Sequence, residues 1–308
     1  MATITWNDVK QAVEAEDYGK RDKKLLCNKL EWIGNGNGNP PIICIDGEDF
    51  FVSEWAEMQI CNKLGIPLRY WKKCPVSLQQ KQFDYWKNYE EREWLLRFKN
   101  DVLRGVLSDK YETFDNKQVI KLWEDTGMTD SFNYELMLTD NSFYLRAIYG
   151  NGETAVGDLK KGVWITNSEV GRRAVSVDAS IWRLACSNGL IVLVEDKPLM
   201  YKRHIWIKEN VLVAKFKQAV MDALMIADKK IEELKGLKFK KADEEYIQSI
   251  GKNIFSNDEL VNAFRNEFFI QNDFTMFGVV NAITATAKKL PPDDRYEVEA
   301  KVGRLLAA

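Results

Sequence analysis

The stretch Gly157–Gly189, GDLKKGVWITNSEVGRRAVSVDASIWRLACSNG, constrains the fold of this chain more than any other. Val163, Trp164 and Ile165 are strand formers, and Asn167, Ser168 and Glu169 follow at once. Gly171 closes a tight turn, two arginines come next, and Ala174 to Val177 returns to β-type residues. Asn188-Gly189 is a second turn signal, because both residues tolerate positive φ. The junction gathers Asn167, Glu169, Arg172, Arg173 and Arg183. Those side chains read equally as a solvated hairpin tip with an ordinary ion pair or as a functional cluster.

Similar punctuation runs along the rest of the chain. Ile42–Ile45 turns at Asp46-Gly47 toward Phe50–Val52, and Asp140-Asn141 joins the strand-like runs Phe132–Leu138 and Ser142–Ile148. Val102–Leu107 is a strand with Arg104 in an apolar run. Ser53 caps a helix to about Lys63, which Gly65 and Ile66-Pro67 end. Residues 1 to about 22 suggest a short amphipathic helix, and Ser77 to about Phe98 a second. GNGNGNPP, Gly34–Pro41, is a turn and not a phosphate loop, since proline follows where Lys-Ser/Thr is needed. Beyond residue 210 the periodicity is helical, broken at Pro291-Pro292. The expected fold is α+β. One antiparallel sheet comprises Val102–Leu107, Phe132–Ile148 and Val163–Val194, with helices on one face and a helical C-terminal third. The expected regions are a β-hairpin/helix extension (1–52), an α+β core (53–210) and a helical part (211–308).

Composition narrows the chemistry. His204 is the only histidine, which removes most zinc sites and most Ser-His schemes. The five cysteines form no C-x-x-C pair and read as free thiols of a reducing cytoplasm. No apolar run approaches a membrane span. The 44 basic and 46 acidic residues nearly balance, yet Gly157 to Lys217 holds eleven basic against six acidic side chains. A local excess of that kind is what phosphate neutralisation requires. Trp164, Trp182, Tyr201 and Trp206 lie within it and offer stacking surfaces, although burial in a core is the commoner fate of tryptophan. Arg69, Tyr70, Trp71, Lys72 and Lys73 form a second basic-aromatic cluster.

Several motifs occur together in a fixed order: FVSEWAEMQICNKLGIPLRYWKKCP, VLRGVLSDKYETFDN, NSEVGRRAVSV, RLACSNGLIV and FTMFGVVNAITATA. From about Phe51 to Leu306 that order resembles the phage- and plasmid-borne family known as domain of unknown function 932. The resemblance implies a mobile genetic element in a bacterial cytoplasm. GVWITNSEVGRR is also similar to the glycine-bounded SE-containing turn of single-strand annealing proteins of the eukaryotic recombination-mediator type. That likeness implies a single-strand-annealing-like core, a twisted hairpin sheet packed on a helix, with subunits in rings or filaments around DNA. Where that superfamily continues with an A-x-x-x-A-x-x-x-G helix, this chain has the β-type run Ala174–Ala179.

The expectation is a single-stranded DNA-binding and annealing protein of a phage or plasmid recombination system. It would be a homo-oligomer larger than a dimer, need no cofactor or metal, and place DNA ahead of RNA. The expected nucleic-acid-binding residues are Lys160, Lys161, Arg172, Arg173, Arg183, Lys202 and Arg203, with Trp164 and Trp206 for stacking. No catalytic residue is assigned, and Glu169 is expected to orient an arginine. Two alternatives stand beside it. One is a non-enzymatic protein that interferes with a host defence complex. The other is a metal-dependent nuclease using Asp109, Asp115, Asp158 and Glu169, none of which stands in a D-x-D or E-x-K pattern.

Overall fold

The structure, a computed structural model, describes residues 3–34, 40–150, 159–183, 188–192, 197–205, 209–237 and 239–307. Thr5 opens the first helix, α1 (Trp6–Asp17), through a capping box with Asp8. Strands β1 (Lys20–Leu26), β2 (Leu30–Gly34), β3 (Ile42–Ile45) and β4 (Glu48–Val52) come next, with Asp46 and Gly47 both at positive φ in the β3–β4 turn. Ser53 caps α2 (Glu54–Lys63) by accepting from the Ala56 N–H, and Gly65 ends it at φ +68. Two short helices, α3 (Leu68–Trp71) and α4 (Val76–Trp86), lead to β5 (Glu93–Lys99) and β6 (Val102–Ser108). These six strands form one sheet in the order β1-β5-β6-β4-β3-β2, antiparallel except for the β4–β6 pair. Its core is aromatic: Trp32, Trp71, Phe83 and Trp94 are buried between sheet and helices.

After α5 (Asn116–Glu124) the chain builds a second, antiparallel sheet. It contains β7 (Phe132–Leu138), β8 (Phe143–Tyr149), β9 (Leu159–Asn167), β10 (Val175–Arg183) and β11 (Asn188–Val192), in the order β11-β10-β9-β8-β7. A three-residue strand, β12 (Met200–Lys202), bonds to the start of β10. The C-terminal third is helical: α6 (Glu209–Leu237), α7 (Glu244–Ile254), α8 (Asp258–Gln271), α9 (Met276–Ala287) and α10 (Pro292–Ala307). No described helix is long and apolar enough to cross a membrane. Of the cysteines, Cys27, Cys44, Cys61 and Cys74 are unpaired, and Cys186 lies outside the described residues.

The α+β class with antiparallel-rich sheets and a helical C-terminal third is as expected; three details differ. Val102–Leu107 belongs to the first sheet, where its hydrogen bonds go to β5 and β4 and not to the later hairpins. Residues 93–99 are a strand and not the end of a helix, because the run WLLRF is covered on both sides and buried throughout. Helices cover both faces of the second sheet. One face presents Leu145, Ala147, Val163, Ile165, Val177, Ala179 and Ile181 to a large core that includes Phe216, Val220 and Ala223 of α6. The other face mixes aromatic and polar side chains and lies under α10, where Tyr296 packs against Tyr144 and Trp164.

The two sheets meet at Gly105 of β6. A Cβ there would lie 2.9 Å from Val170 Cβ, in the turn after β9, so the position admits only glycine without movement. We expect Gly105→Ala to destabilise the fold by about 1–3 kcal/mol through overpacking, measured by denaturant unfolding. An unchanged midpoint would show that the contact yields freely.

Candidate anion-binding cleft at the sheet junction

The turn Asn167–Arg173 is held on every side. Arg97 donates to the Glu169 carbonyl at 2.7 Å, and Trp55 and Gln59 donate to the Val170 carbonyl at 2.9 and 2.8 Å. Ser168 Oγ donates to the Asn141 carbonyl at 2.6 Å and accepts from the Arg172 N–H at 2.9 Å. Asn167 Nδ2 donates to the Phe114 carbonyl at 3.1 Å and to Asn116 Oδ1 at 3.0 Å. Gly171 adopts φ +77, which only glycine adopts at no steric cost, and a Cβ there would meet Leu107 at 2.7 Å.

Glu169 is the buried centre of this arrangement. One oxygen lies 2.6 Å from Lys20 Nζ of β1 and 3.3 Å from Arg104 Nη1 of β6. The other accepts from the Asn116 N–H at the start of α5, at 3.0 Å. Burial opposes its charge, yet the Lys20 ammonium, the Asn116 N–H and Arg104 hold its carboxyl below the usual range. It therefore does orient an arginine, but the arginine is Arg104 and not one in its own turn.

Because the turn is fixed, the residues after it are placed. Arg172, Arg173 and Ala174 form one wall of a cleft of about 510 Å³. Val106 to Ser108 and Tyr111 form another, Lys63 from the end of α2 a third, and Tyr201 with Arg203 to Ile205 the last. Four cations line it, Lys63, Arg172, Arg173 and Arg203, and among the described residues no carboxylate does. Neither Lys63 nor Arg203 is ion-paired within the described residues. Arg172 lies over the Trp55 ring at 4.9 Å, and Arg173 over the Tyr296 ring at 4.6 Å. Tyr201, 58% exposed, stands at the cleft with its ring in solvent.

His204 backs the cleft and is buried. Its ring stacks on Tyr111 at 5.0 Å, with Nδ1 3.0 Å from the Tyr111 hydroxyl. The same hydroxyl lies 3.1 and 3.2 Å from the Ser168 and Glu169 carbonyls, which only accept. Tyr111 therefore donates to a carbonyl, and His204 Nδ1–H donates to Tyr111. Burial, aided by the Arg97 charge, pushes the imidazole down to about 4.

The expected site residues divide. Arg172, Arg173 and Arg203 come together in the cleft, and Lys63 joins them without any signal in the sequence. Arg172 and Arg173 precede β10 in a bend, so strand alternation does not send them to opposite faces. Lys202 turns its ammonium to the Ile205 carbonyl at 2.7 Å. Lys160 and Lys161 lie at the far end of β9, roughly 20 Å from the turn at strand rise, and Lys161 is paired with Asp228 of α6 at 2.7 Å. Trp164 is fully buried, with Arg146 over its ring at 3.8 Å, so it offers no base a surface. Arg183 ends β10, its side chain outside the described residues, as are Trp206 and Asp158. Among the described residues no three His, Cys, Asp or Glu side chains converge, and Asp115 pairs with Arg97 at 2.7 Å.

Beneath α10 lies a second buried polar group set. Glu135 and Glu299 alternate with Arg146 and Arg295, with contacts of 2.8 to 3.1 Å for three of the pairs. Arg146 and Glu299 form the remaining pair, and both are fully buried. Beside them Asp178 accepts from Ser176 Oγ at 3.2 Å, and its other oxygen has no partner in the described residues. Burial pushes its carboxyl up to about 7.

Asp178 and His204 bias stability in opposite directions. An unfolded histidine takes a proton near 6.5, but native His204 waits until about 4. Its contribution is present above 6.5 and is lost as pH falls. Native Asp178 keeps its proton to about 7, whereas an unfolded aspartate loses it near 3.9. That contribution is present at low pH and is lost as pH rises. Between pH 5 and 6.5 the two offset. We expect stability to rise with pH in Asp178→Asn and to fall with pH in His204→Gln, each by up to about 1.4 kcal/mol per unit. Parallel pH profiles of chemical denaturation in both variants would refute this.

The model of one protein family, described as Domain of unknown function (DUF932), matches residues 104–300. No curated protein and no solved structure matches the chain.

Proposed function

The chain belongs to the DUF932 family, whose model spans well over half of it, and we propose that it binds single-stranded nucleic acid in the cleft, DNA ahead of RNA. One observation carries the reading: four cationic residues line one volume that no described carboxylate lines. Phosphate oxygens match guanidinium groups in charge and in paired geometry. Tyr201 beside the cations supplies the sequence-tolerant stacking that single strands use. Further exposed rings support it: Tyr85, Trp86 and Tyr89 pack on one another with centroids 5.0 to 6.0 Å apart on the surface around α4. The setting in keeping with the family resemblance is a phage or plasmid recombination system in a bacterial cytoplasm, with annealing of complementary strands as the activity.

The cleft is small beside an extended strand, so annealing requires several subunits to continue it, as a ring or filament with heterologous contacts. An exposed apolar corner, Phe269, Ile270 and Phe274, supplies surface for such contacts. Light scattering with an oligonucleotide should report a mass above that of a dimer. A monomer both alone and with DNA would overturn the assembly but leave binding intact.

Binding itself is tested by salt titration. Arg172→Ala with Arg203→Ala should weaken affinity for all sequences alike. It should also flatten the slope of log affinity against log salt by about 1.4, at ~0.7 per lost single-strand phosphate contact. Arg173 is left in place because it is mostly buried, and its removal would confound binding with stability. Equal slopes for wild type and the variant would remove these arginines from the site.

A further inference from the structure

Two of the cleft arginines are already occupied by the chain itself. Asp293, in the first turn of α10, places one oxygen 2.8 Å from Arg172 Nε and the other 3.6 Å from Arg173 Nε. Glu297, one turn on, lies 3.3 Å from both terminal nitrogens of Arg173. Tyr144 ties the group together, accepting from Arg173 Nε at 2.6 Å and donating to Asp293. A carboxylate and a phosphate present the same paired oxygens to a guanidinium, so they compete for the same donors.

The helix that carries these acids is anchored elsewhere. Its middle is fixed by Arg295 and Glu299 in the buried network with Glu135 and Arg146, and by Tyr296 against Trp164. The two carboxylates can therefore give up their arginines by side-chain rotation, without the helix leaving the sheet. They differ in how firmly they hold: the Asp293 side chain is 19% exposed and that of Glu297 56%. Solvent weakens the second contact.

We propose that Asp293 and Glu297 form an autoinhibitory contact, a pair of internal phosphate mimics that hold Arg172 and Arg173 until a polyanion displaces them. The inference rests on the nucleic-acid reading of the cleft. A lone phosphate has to displace the carboxylates unaided. A strand reaching Arg203 and Lys63 first presents its next phosphates at high effective concentration. The contact thus selects a chain of phosphates over free phosphate.

The test compares wild type, Asp293→Asn with Glu297→Gln, and a charge-matched control, Glu232→Gln with Glu233→Gln on α6. The probes are a labelled 20-nucleotide oligo-deoxythymidine and inorganic phosphate as competitor. The cleft-side variant should bind the oligonucleotide at least tenfold tighter than wild type at low salt. Inorganic phosphate should displace the oligonucleotide from it at lower concentration than the gain in affinity alone allows. The control should match wild type. Equal affinity in the variant and wild type overturns the inference and leaves the binding function standing. So does weaker binding by the variant, since the acids would then be positioning the arginines. Absence of oligonucleotide binding in every form overturns the function and this inference together. Should the double variant lose its circular-dichroism melt, Glu297→Gln alone, at an exposed side chain, must still bind tighter than wild type.

Discussion

Glu169 joins the two halves of the molecule. A carboxylate this deeply buried is costly unless several donors meet it. The donors come from three places: Lys20 in β1, Arg104 in β6 and the backbone N–H that starts α5. Each is useless to Glu169 unless both sheets are in place, so the ion pair specifies their docking. The backbone beside it is then clamped by Arg97, Tyr111, Trp55 and Gln59, and Val170 seats on Gly105. Arg172 and Arg173, next along the chain, enter the cleft because nothing upstream is free to turn.

A balanced set of two arginines and two glutamates does the corresponding work under α10. Pairing without excess charge lets Arg146 and Glu299 stay fully buried on what would otherwise be a solvent face. That set fixes the helix whose first turn meets the cleft. Two buried charge networks, one in the turn and one under the helix, thus converge on the same pair of arginines from opposite sides.

The hairpins were legible because turn residues mark them: Asp46-Gly47, Asp140-Asn141 and the turn ending at Gly171 all fall between paired strands. The cap at Ser53 and the helical C-terminal third were legible for the same local reasons. The first strand was not, since KRDKKLL carries neither alternation nor strand formers and owes its conformation to pairing with β5. Nor was β5, whose aromatic spacing continues that of the preceding helix. At the site, Arg172, Arg173 and Arg203 could be picked out by charge, but Lys63 could not, because only tertiary contact brings α2 to the turn. Trp164 misled for a physical reason. Alternation gives the face of a strand, and here helices cover both faces.

The lysine-rich strand that sequence patterning missed also protects one edge of the first sheet. An outer strand with unpaired backbone groups invites another chain to extend the sheet, and charge along it discourages that. The β1 edge carries Lys20, Arg21, Asp22, Lys23 and Lys24 in succession. At the opposite edge, Gln80 and Lys87 donate to the outward carbonyls of Ile33 and Leu30 in β2. In the second sheet, Ile4 bonds across to Tyr134 and closes the middle of β7. Three of the outer strands are therefore guarded against their own kind. Those three edges resist extension by a strand of another chain, which protects a protein rich in β-structure from sticking to itself.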